Sequence, residues 1–146
     1  MNFKTLNIDW QCLTTWRKAS YNTLWCLIGC SIGDLGTIAF FQVNEIMWSP
    51  ILIMALAIIN GLITSITLET IVLSYQMQFS IALKTALGMS LISMISMELS
   101  MNVVDLWLTG SAKLQWSVLP FMLTAGFVTP LPYNYWRLKA LGKNCH

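Results

Sequence analysis

The chain has 146 residues, of which 56% are hydrophobic and only 10% are charged. This composition is too apolar for a soluble domain of that size, and the long runs almost free of charge predict a protein that crosses the lipid bilayer several times. The net charge of +2 is small and lysine and arginine form no tracts, so we expect no nucleic-acid partner.

The first 19 residues predict an interfacial or cytoplasmic segment that is retained. A cleavable signal peptide needs an uninterrupted hydrophobic stretch. Here that stretch is interrupted by four charged side chains: Lys4, Asp9, Arg17 and Lys18. Trp10 and Trp16 are compatible with a short helix in the headgroup layer or with a loose tail anchored by the two indoles.

Four membrane spans are predicted in a single membrane domain covering residues 1–146. Their bounds are about 20–43, 50–75, 79–106 and 116–136, and a tail over 137–146 follows. Short connections make neighbouring spans antiparallel, so the fold class is an all-α polytopic membrane protein, an antiparallel four-transmembrane-helix bundle. Pro120, Pro130 and Pro132 predict that the fourth span is bent or broken near its end.

The distribution of basic residues predicts the orientation. Four spans place both termini on one side, and all but one of the basic residues share that side: Lys4, Arg17, Lys18, Lys84, Arg137, Lys139 and Lys143. Only Lys113 is opposite. The positive-inside rule then makes both termini cytoplasmic in a multi-pass protein of the inner (plasma) membrane. Because all four cysteines lie toward that side, we expect reduced thiols.

The first span carries two thiols and a carboxylate in a run that is otherwise apolar. Cys26, Cys30 and Asp34 are each four residues apart, so they follow one helix face at steps of about 6 Å. A carboxylate inside a bilayer is costly and normally faces a protein interior or a wet cavity. Asp34 is therefore a candidate functional residue.

The other spans supply further sulfur and oxygen groups at matching depths. Glu69 of the second span is at the depth of Cys26, and Asn60 is near Asp34 at mid-membrane. The third span carries a helical stripe of thioether and oxygen side chains: Ser90, Met94, Met97, Glu98, Met101 and Asp105. Asp105 is expected at the outer mouth of the bundle.

Three short motifs resemble an uncharacterised family of small bacterial four-helix integral membrane proteins, a domain of unknown function. They are Cys26-x-x-x-Cys30-Ser31-Ile32-Gly33-Asp34, Ser96-Met97-Glu98 and Pro132-Tyr133-Asn134-Tyr135-Trp136. Many members have a His before the first Cys, and Trp25 stands there in this chain. The resemblance implies the helical membrane fold and the importance of these positions, but it implies no activity.

These observations favour binding, and passage, of a soft cation, with Cu(I) as the best candidate, because thiolates and thioethers are the ligands that select Cu(I). The candidate metal ligands are Cys26, Cys30, Asp34, Glu69, Met94, Met97, Glu98 and Met101. No catalytic residue and no other cofactor is expected, and the protein is not expected to be an enzyme. The partners expected are the lipid bilayer and either a second copy or another membrane subunit.

Other interpretations stay open. Methionine and cysteine also serve as packing residues in helix bundles. Proton or hard-cation conduction through Asp34, Glu69 and Glu98 would make the sulfur incidental. A non-catalytic accessory or assembly subunit fits the small size and the glycine-rich helix faces. Thiol oxidoreduction is disfavoured because Cys26 and Cys30 are a helical turn apart and on the predicted reducing side.

Overall fold

A computed structural model describes residues 10–75 and 78–140 of the chain, except for the side chains of Thr85, Met89 and Ala140. These residues form helices and connecting turns, and no strand occurs among them. Three of the charged residues named above, Lys4, Asp9 and Lys143, lie outside the described residues.

The helices follow one another along the chain with short connections. They are α1 (Leu13–Val43), α2 (Pro50–Ser74), α3 (Phe79–Thr85), a π-helical segment (Ala86–Ser90), α4 (Leu91–Thr109), α5 (Leu119–Val128) and α6 (Leu131–Ala140). Within the described residues, α1, α2 and α4 are long and apolar enough to cross a membrane. The all-helical, membrane-type fold is therefore confirmed, while the four-span bundle and its orientation stay predictions.

Helix α1 begins earlier than predicted and runs without interruption for 31 residues, a length of about 46 Å. The region around Trp16 is thus the first turns of α1, rather than a separate interfacial helix or a loose tail. Trp10 stacks on Tyr135 of α6 with ring centroids 5.1 Å apart, and Trp16 packs on the same ring at 4.4 Å. These aromatic contacts hold the start of α1 against α6.

Two glycines bring α1 and α2 into close contact. A methyl group added at Gly29 would lie 2.7 Å from Ser65 Cα, and one added at Gly33 would lie 2.5 Å from the carbonyl carbon of Asn60. Thr64 Oγ1 donates a hydrogen bond across this contact to the Gly29 carbonyl (2.6 Å). The helix that approaches these glycines is α2 of the same chain, so this face is not free for a second copy.

The predicted third span is one helical stretch with a wide turn in its middle. Residues 86–90 form π-helical turns between α3 and α4, and π segments are frequent at functional sites. Helix α4 then ends at Gly110, whose φ of 67° is the left-handed conformation that glycine adopts readily at a helix end.

The predicted fourth span is divided into α5 and α6, each ten residues long. The division falls at Thr129 and Pro130, as the prolines predict, because proline cannot continue the hydrogen-bond pattern of a helix. Helix α5 packs mainly on α4, and α6 packs on the first half of α1. Asn134 Nδ2 of α6 donates a hydrogen bond to Thr23 Oγ1 of α1 (2.7 Å).

The cysteines differ in their chemical state. Cys26 and Cys30 are free thiols, as expected. Cys12, just before α1, is disulfide-bonded. The expectation of reduced thiols is therefore wrong for Cys12, since a persistent disulfide requires an oxidising environment.

Candidate functional site

Sulfur-bearing side chains from three helices pack together in the interior of the bundle. Cys30 of α1 and Met94, Met97 and Met101 of α4 belong to one buried cluster, and each is 0% exposed. Met122 of α5 joins the same cluster at 1% exposed, and the sequence analysis did not select it. We call these five residues the sulfur cluster. This packing joins the first and third predicted spans, α1 and α4, in a shared interior.

Glu98 lies beside the sulfur cluster and is also 0% exposed. Its carboxylate rests against Gly61 of α2, where a methyl group would overlap it and lie 2.7 Å from Glu98 Cδ. The Cys30 thiol is next to the carboxylate, yet neither Glu98 oxygen accepts a hydrogen bond of normal geometry within the described residues. A buried carboxylate without donors is costly and therefore suggests a missing positive charge or proton.

Cys26 lies one turn before Cys30 and is half-buried. Its thiol is 3.4 Å from Ser65 Oγ, which donates a hydrogen bond to the Cys26 carbonyl (3.3 Å). The two thiols are also close enough to interact with each other. Cys26 therefore connects the sulfur cluster to α2 and to the end of the bundle where α6 packs.

Asp34 is fully buried one turn beyond Cys30, as the four-residue ladder predicts. Its Oδ1 accepts a hydrogen bond from Asn102 Nδ2 of α4 (3.2 Å), while its Oδ2 has no partner among the described residues. The amide predicted near Asp34 was Asn60, but Asn60 Nδ2 donates instead to Thr37 Oγ1 (2.8 Å). Asn102 was missed, although it is four residues from Glu98 on the interior face of α4.

Asp105 also differs from its predicted position. It is 1% exposed rather than open at the outer mouth, and Thr109 Oγ1 donates to its backbone carbonyl (2.7 Å). Its side chain lies near enough to Asp34 for their charges to interact. Glu98, Asp34 and Asp105 therefore form a row of buried carboxylates along the interior.

Glu69, which was predicted to lie at the depth of Cys26, is outside the sulfur cluster. Ser90 Oγ, in the wide turn, donates to Glu69 Oε1 (2.6 Å), and Arg137 of α6 donates to the same Ser90 Oγ (3.1 Å). Cys26 is within electrostatic range of Glu69 but makes no hydrogen bond to it. Arg137 was not predicted as a neighbour of this network, because the helical spacing used for the ligands did not include the residues of α6.

The structure brings together six of the eight predicted ligands: Cys30, Asp34, Met94, Met97, Glu98 and Met101. Cys26 borders this group, and Glu69 belongs to the network with Ser90. In residues 10–75 and 78–140, no group of three or more histidine, cysteine, aspartate or glutamate side chains has the arrangement of a metal site. Any metal ligation in the described interior therefore requires the thioethers or an amide oxygen.

Comparison with protein families gives one result that bears on identity. Residues 15–143 match the family described as domain of unknown function DUF4396. Curated proteins and solved structures give no significant match. The match covers almost the whole chain, including every residue of the sulfur cluster and the row of carboxylates. The chain therefore belongs to the DUF4396 family, an uncharacterised family, as the motifs in its helices predicted.

Proposed function

We propose that the protein binds a soft monovalent cation, with Cu(I) as the best candidate, at the sulfur cluster. The observation that carries this proposal is that Cys30 and three methionines of α4 pack in one cluster closed to solvent, with the Glu98 carboxylate beside the Cys30 thiol. Thiolates and thioethers select Cu(I) over harder ions. The carboxylate would offset the charge of the ion in surroundings that cannot hydrate it.

The remaining predicted ligands would extend a path from this site. Cys26 would pass the ion from the end of the bundle near Glu69, and Asp34 would relay it or carry a coupled proton. The 146 residues contain no P-loop motif. Transport, if the bound ion moves, would be passive, coupled to another ion or dependent on another subunit. We propose a binding and transport role without catalysis.

Competition for Cu(I) between the purified protein and a colorimetric chelator, under anaerobic and reducing conditions, tests the binding proposal. We expect Cys30→Ser and Met97→Leu to lower the Cu(I) affinity by at least about tenfold, the loss that even disturbance of supporting groups produces in metal sites. Met54→Leu is the matched control, because Met54 is buried in a different cluster with Ile53 and Ala57. Equal affinities for all three variants and the wild type would show that the sulfur cluster is only packing.

Proton or hard-cation conduction is the second candidate, and a specific observation favours it. Glu69, Glu98 and Asp34 each keep at least one buried oxygen without a partner among the described residues. Carboxylates in that state hold protons or cations. In reconstituted vesicles, the Cys26→Ser/Cys30→Ser variant would abolish flux only if the soft cation is the cargo. Glu98→Gln would abolish proton flux if conduction is the function.

A membrane accessory or assembly subunit is the third candidate. Elemental analysis of the wild type beside the double serine variant, with no metal in either and no flux in vesicles, would favour this role. The partner would then be a second copy or another membrane subunit. The glycines at the contact between α1 and α2 are already covered, so such a partner would use another face.

We also propose the four-span topology in the inner (plasma) membrane, with α5 and α6 together forming the fourth crossing. The support is that the start of α1 and the end of α6 pack together and carry Arg17, Lys18, Arg137 and Lys139 on one side. The positive-inside rule then places this end in the cytoplasm, which is the orientation proposed, whereas the disulfide at Cys12 favours the oxidising side. Reporter fusions before α1 and after α6 decide the orientation: cytoplasmic reporter activity at both ends supports the proposal.

A further inference from the structure

One helical turn beyond the sulfur cluster, the interior of the bundle changes from sulfur to oxygen. Asp34 of α1 is hydrogen-bonded there to Asn102 of α4, and Asp105, within electrostatic range of Asp34, lies three residues further along the same face of α4. The three residues are 0%, 4% and 1% exposed, respectively. This group of oxygen-bearing side chains is buried, like the sulfur cluster.

Each of the three side chains keeps one buried oxygen that has no hydrogen-bond partner within residues 10–75 and 78–140. These atoms are Asp34 Oδ2, Asn102 Oδ1 and Asp105 Oδ2. The amide nitrogen of Asn102 donates to Asp34 Oδ1 (3.2 Å) and to the Glu98 carbonyl (3.0 Å). Its hydrogens are therefore committed, and its oxygen remains available as a ligand.

The two carboxylates of this group also favour the binding of a cation. Asp34 and Asp105 are close enough to repel each other when both are ionised. Within the described part of the chain, the hydrogen bonds that the two carboxylates accept come from neutral groups: the Asn102 amide, the Thr109 hydroxyl and the Lys113 backbone N–H. Two buried carboxylates with no positive partner are strongly destabilised. A divalent cation would neutralise both.

The donor atoms indicate the kind of cation. Carboxylate and amide oxygens are ligands of hard cations, whereas Cu(I) prefers sulfur. Mg²⁺ is commonly held by one or two carboxylates and keeps several waters, while Ca²⁺ takes six to eight oxygens. Two carboxylates and one amide oxygen are fewer ligands than Ca²⁺ takes, and they match the small number of protein ligands that hold Mg²⁺.

We propose that Asp34, Asn102 and Asp105 form a binding site for a hard divalent cation of the Mg²⁺ class, separate from the sulfur cluster. The site goes beyond the proposed function, because its donors are oxygens and two of its three residues, Asn102 and Asp105, are not among the soft-cation ligands. Along α1, Asp34 lies one helical turn, about 6 Å along the axis, from Cys30 of the sulfur cluster.

Electron paramagnetic resonance of Mn²⁺ added to the purified protein in detergent tests the site, with Mn²⁺ as the spectroscopic substitute for Mg²⁺. The wild type is expected to bind one Mn²⁺ that excess Mg²⁺ displaces. Asp105→Asn is expected to lower the Mn²⁺ affinity by at least about tenfold. Glu45→Gln is the matched control, because Glu45 is an exposed acid in the connection between α1 and α2.

Further measurements separate this site from the soft-cation site and from loss of folding. Asn102→Asp keeps an oxygen ligand and is expected to retain Mn²⁺ binding. Asp105→Asn is expected to retain Cu(I) affinity, and Met97→Leu to retain Mn²⁺ affinity. A wild type that binds no Mn²⁺, or binds it without displacement by Mg²⁺, would overturn the proposal without any variant. Equal Mn²⁺ affinity of the wild type and Asp105→Asn would overturn it as well.

Discussion

Replacing Gly33 by alanine is expected to separate α1 from α2. The new methyl carbon would lie 2.5 Å from the carbonyl carbon of Asn60 and 2.5 Å from Thr64 Oγ1. Ordinary contacts between carbon atoms are 3.5–4.0 Å, so α2 would have to retreat by about 1 Å. The atom that blocks the methyl group belongs to the backbone of α2, which cannot move aside as the end of a side chain can.

The energetic cost of Gly33→Ala follows from three contributions. Overpacking of this kind costs about 1–3 kcal/mol. The retreat of α2 also stretches the hydrogen bonds from Asn60 to Thr37 and from Thr64 to Gly29, each worth about 0.6 kcal/mol between membrane helices. Replacing glycine by alanine inside a helix returns about 1 kcal/mol. We expect a net loss of roughly 2 kcal/mol in the free energy of unfolding.

Denaturant unfolding in detergent micelles, followed by tryptophan fluorescence, measures this loss. Gly36→Ala is the matched control on the same helix, because a methyl group there would meet no atom within 4 Å. The control is expected to keep or raise the free energy of unfolding, by up to about 1 kcal/mol. Equal stability of the Gly33→Ala and Gly36→Ala proteins would refute the close contact between α1 and α2.

Three further changes test individual contacts. Gly61→Ala is expected to displace the Glu98 carboxylate and to lower Cu(I) affinity by at least about tenfold in the chelator competition, with little change in unfolding because that carboxylate is the end of a flexible side chain. Ser90→Ala leaves Glu69 Oε1 without its donor, and denaturant unfolding should show a loss of about 1–3 kcal/mol. Asn134→Leu removes the bond that joins α6 to α1 and should cost about 1 kcal/mol in the same assay.

Sequence periodicity was sufficient for the interior faces of the helices. Cys30 and Asp34 on α1, and Met94 and Glu98 on α4, are all buried as the four-residue ladder and the helical stripe predict. The reason is that a helix face that carries a carboxylate turns away from lipid, and the cysteine and methionines share the faces of Asp34 and Glu98. The existence and type of each long helix could therefore be predicted from composition and spacing.

The pairing of side chains across helices could not be predicted in the same way. Depth counting matched Asn60 with Asp34, but the rotation of α2 turns Asn60 toward Thr37, and Asn102 of α4 takes its place. The rotation of α2 about its own axis is set by contacts such as those at Gly33. The spacing of residues along a single helix does not determine this rotation. The break at Pro130 was visible in the sequence, but the packing of α6 on the start of α1 depends on aromatic contacts of Tyr135 with Trp16.

The wide turn at residues 86–90 has a consequence for every residue that follows it. Ala82, Ala86, Ser90 and Met94 are buried at four-residue intervals, which on a regular helix would drift by about 40° per step. A turn that takes in roughly one more residue cancels most of this drift. The length of this segment thus sets the phase of the whole downstream helix, and deleting a single residue from it would rotate the methionines outward into the acyl chains.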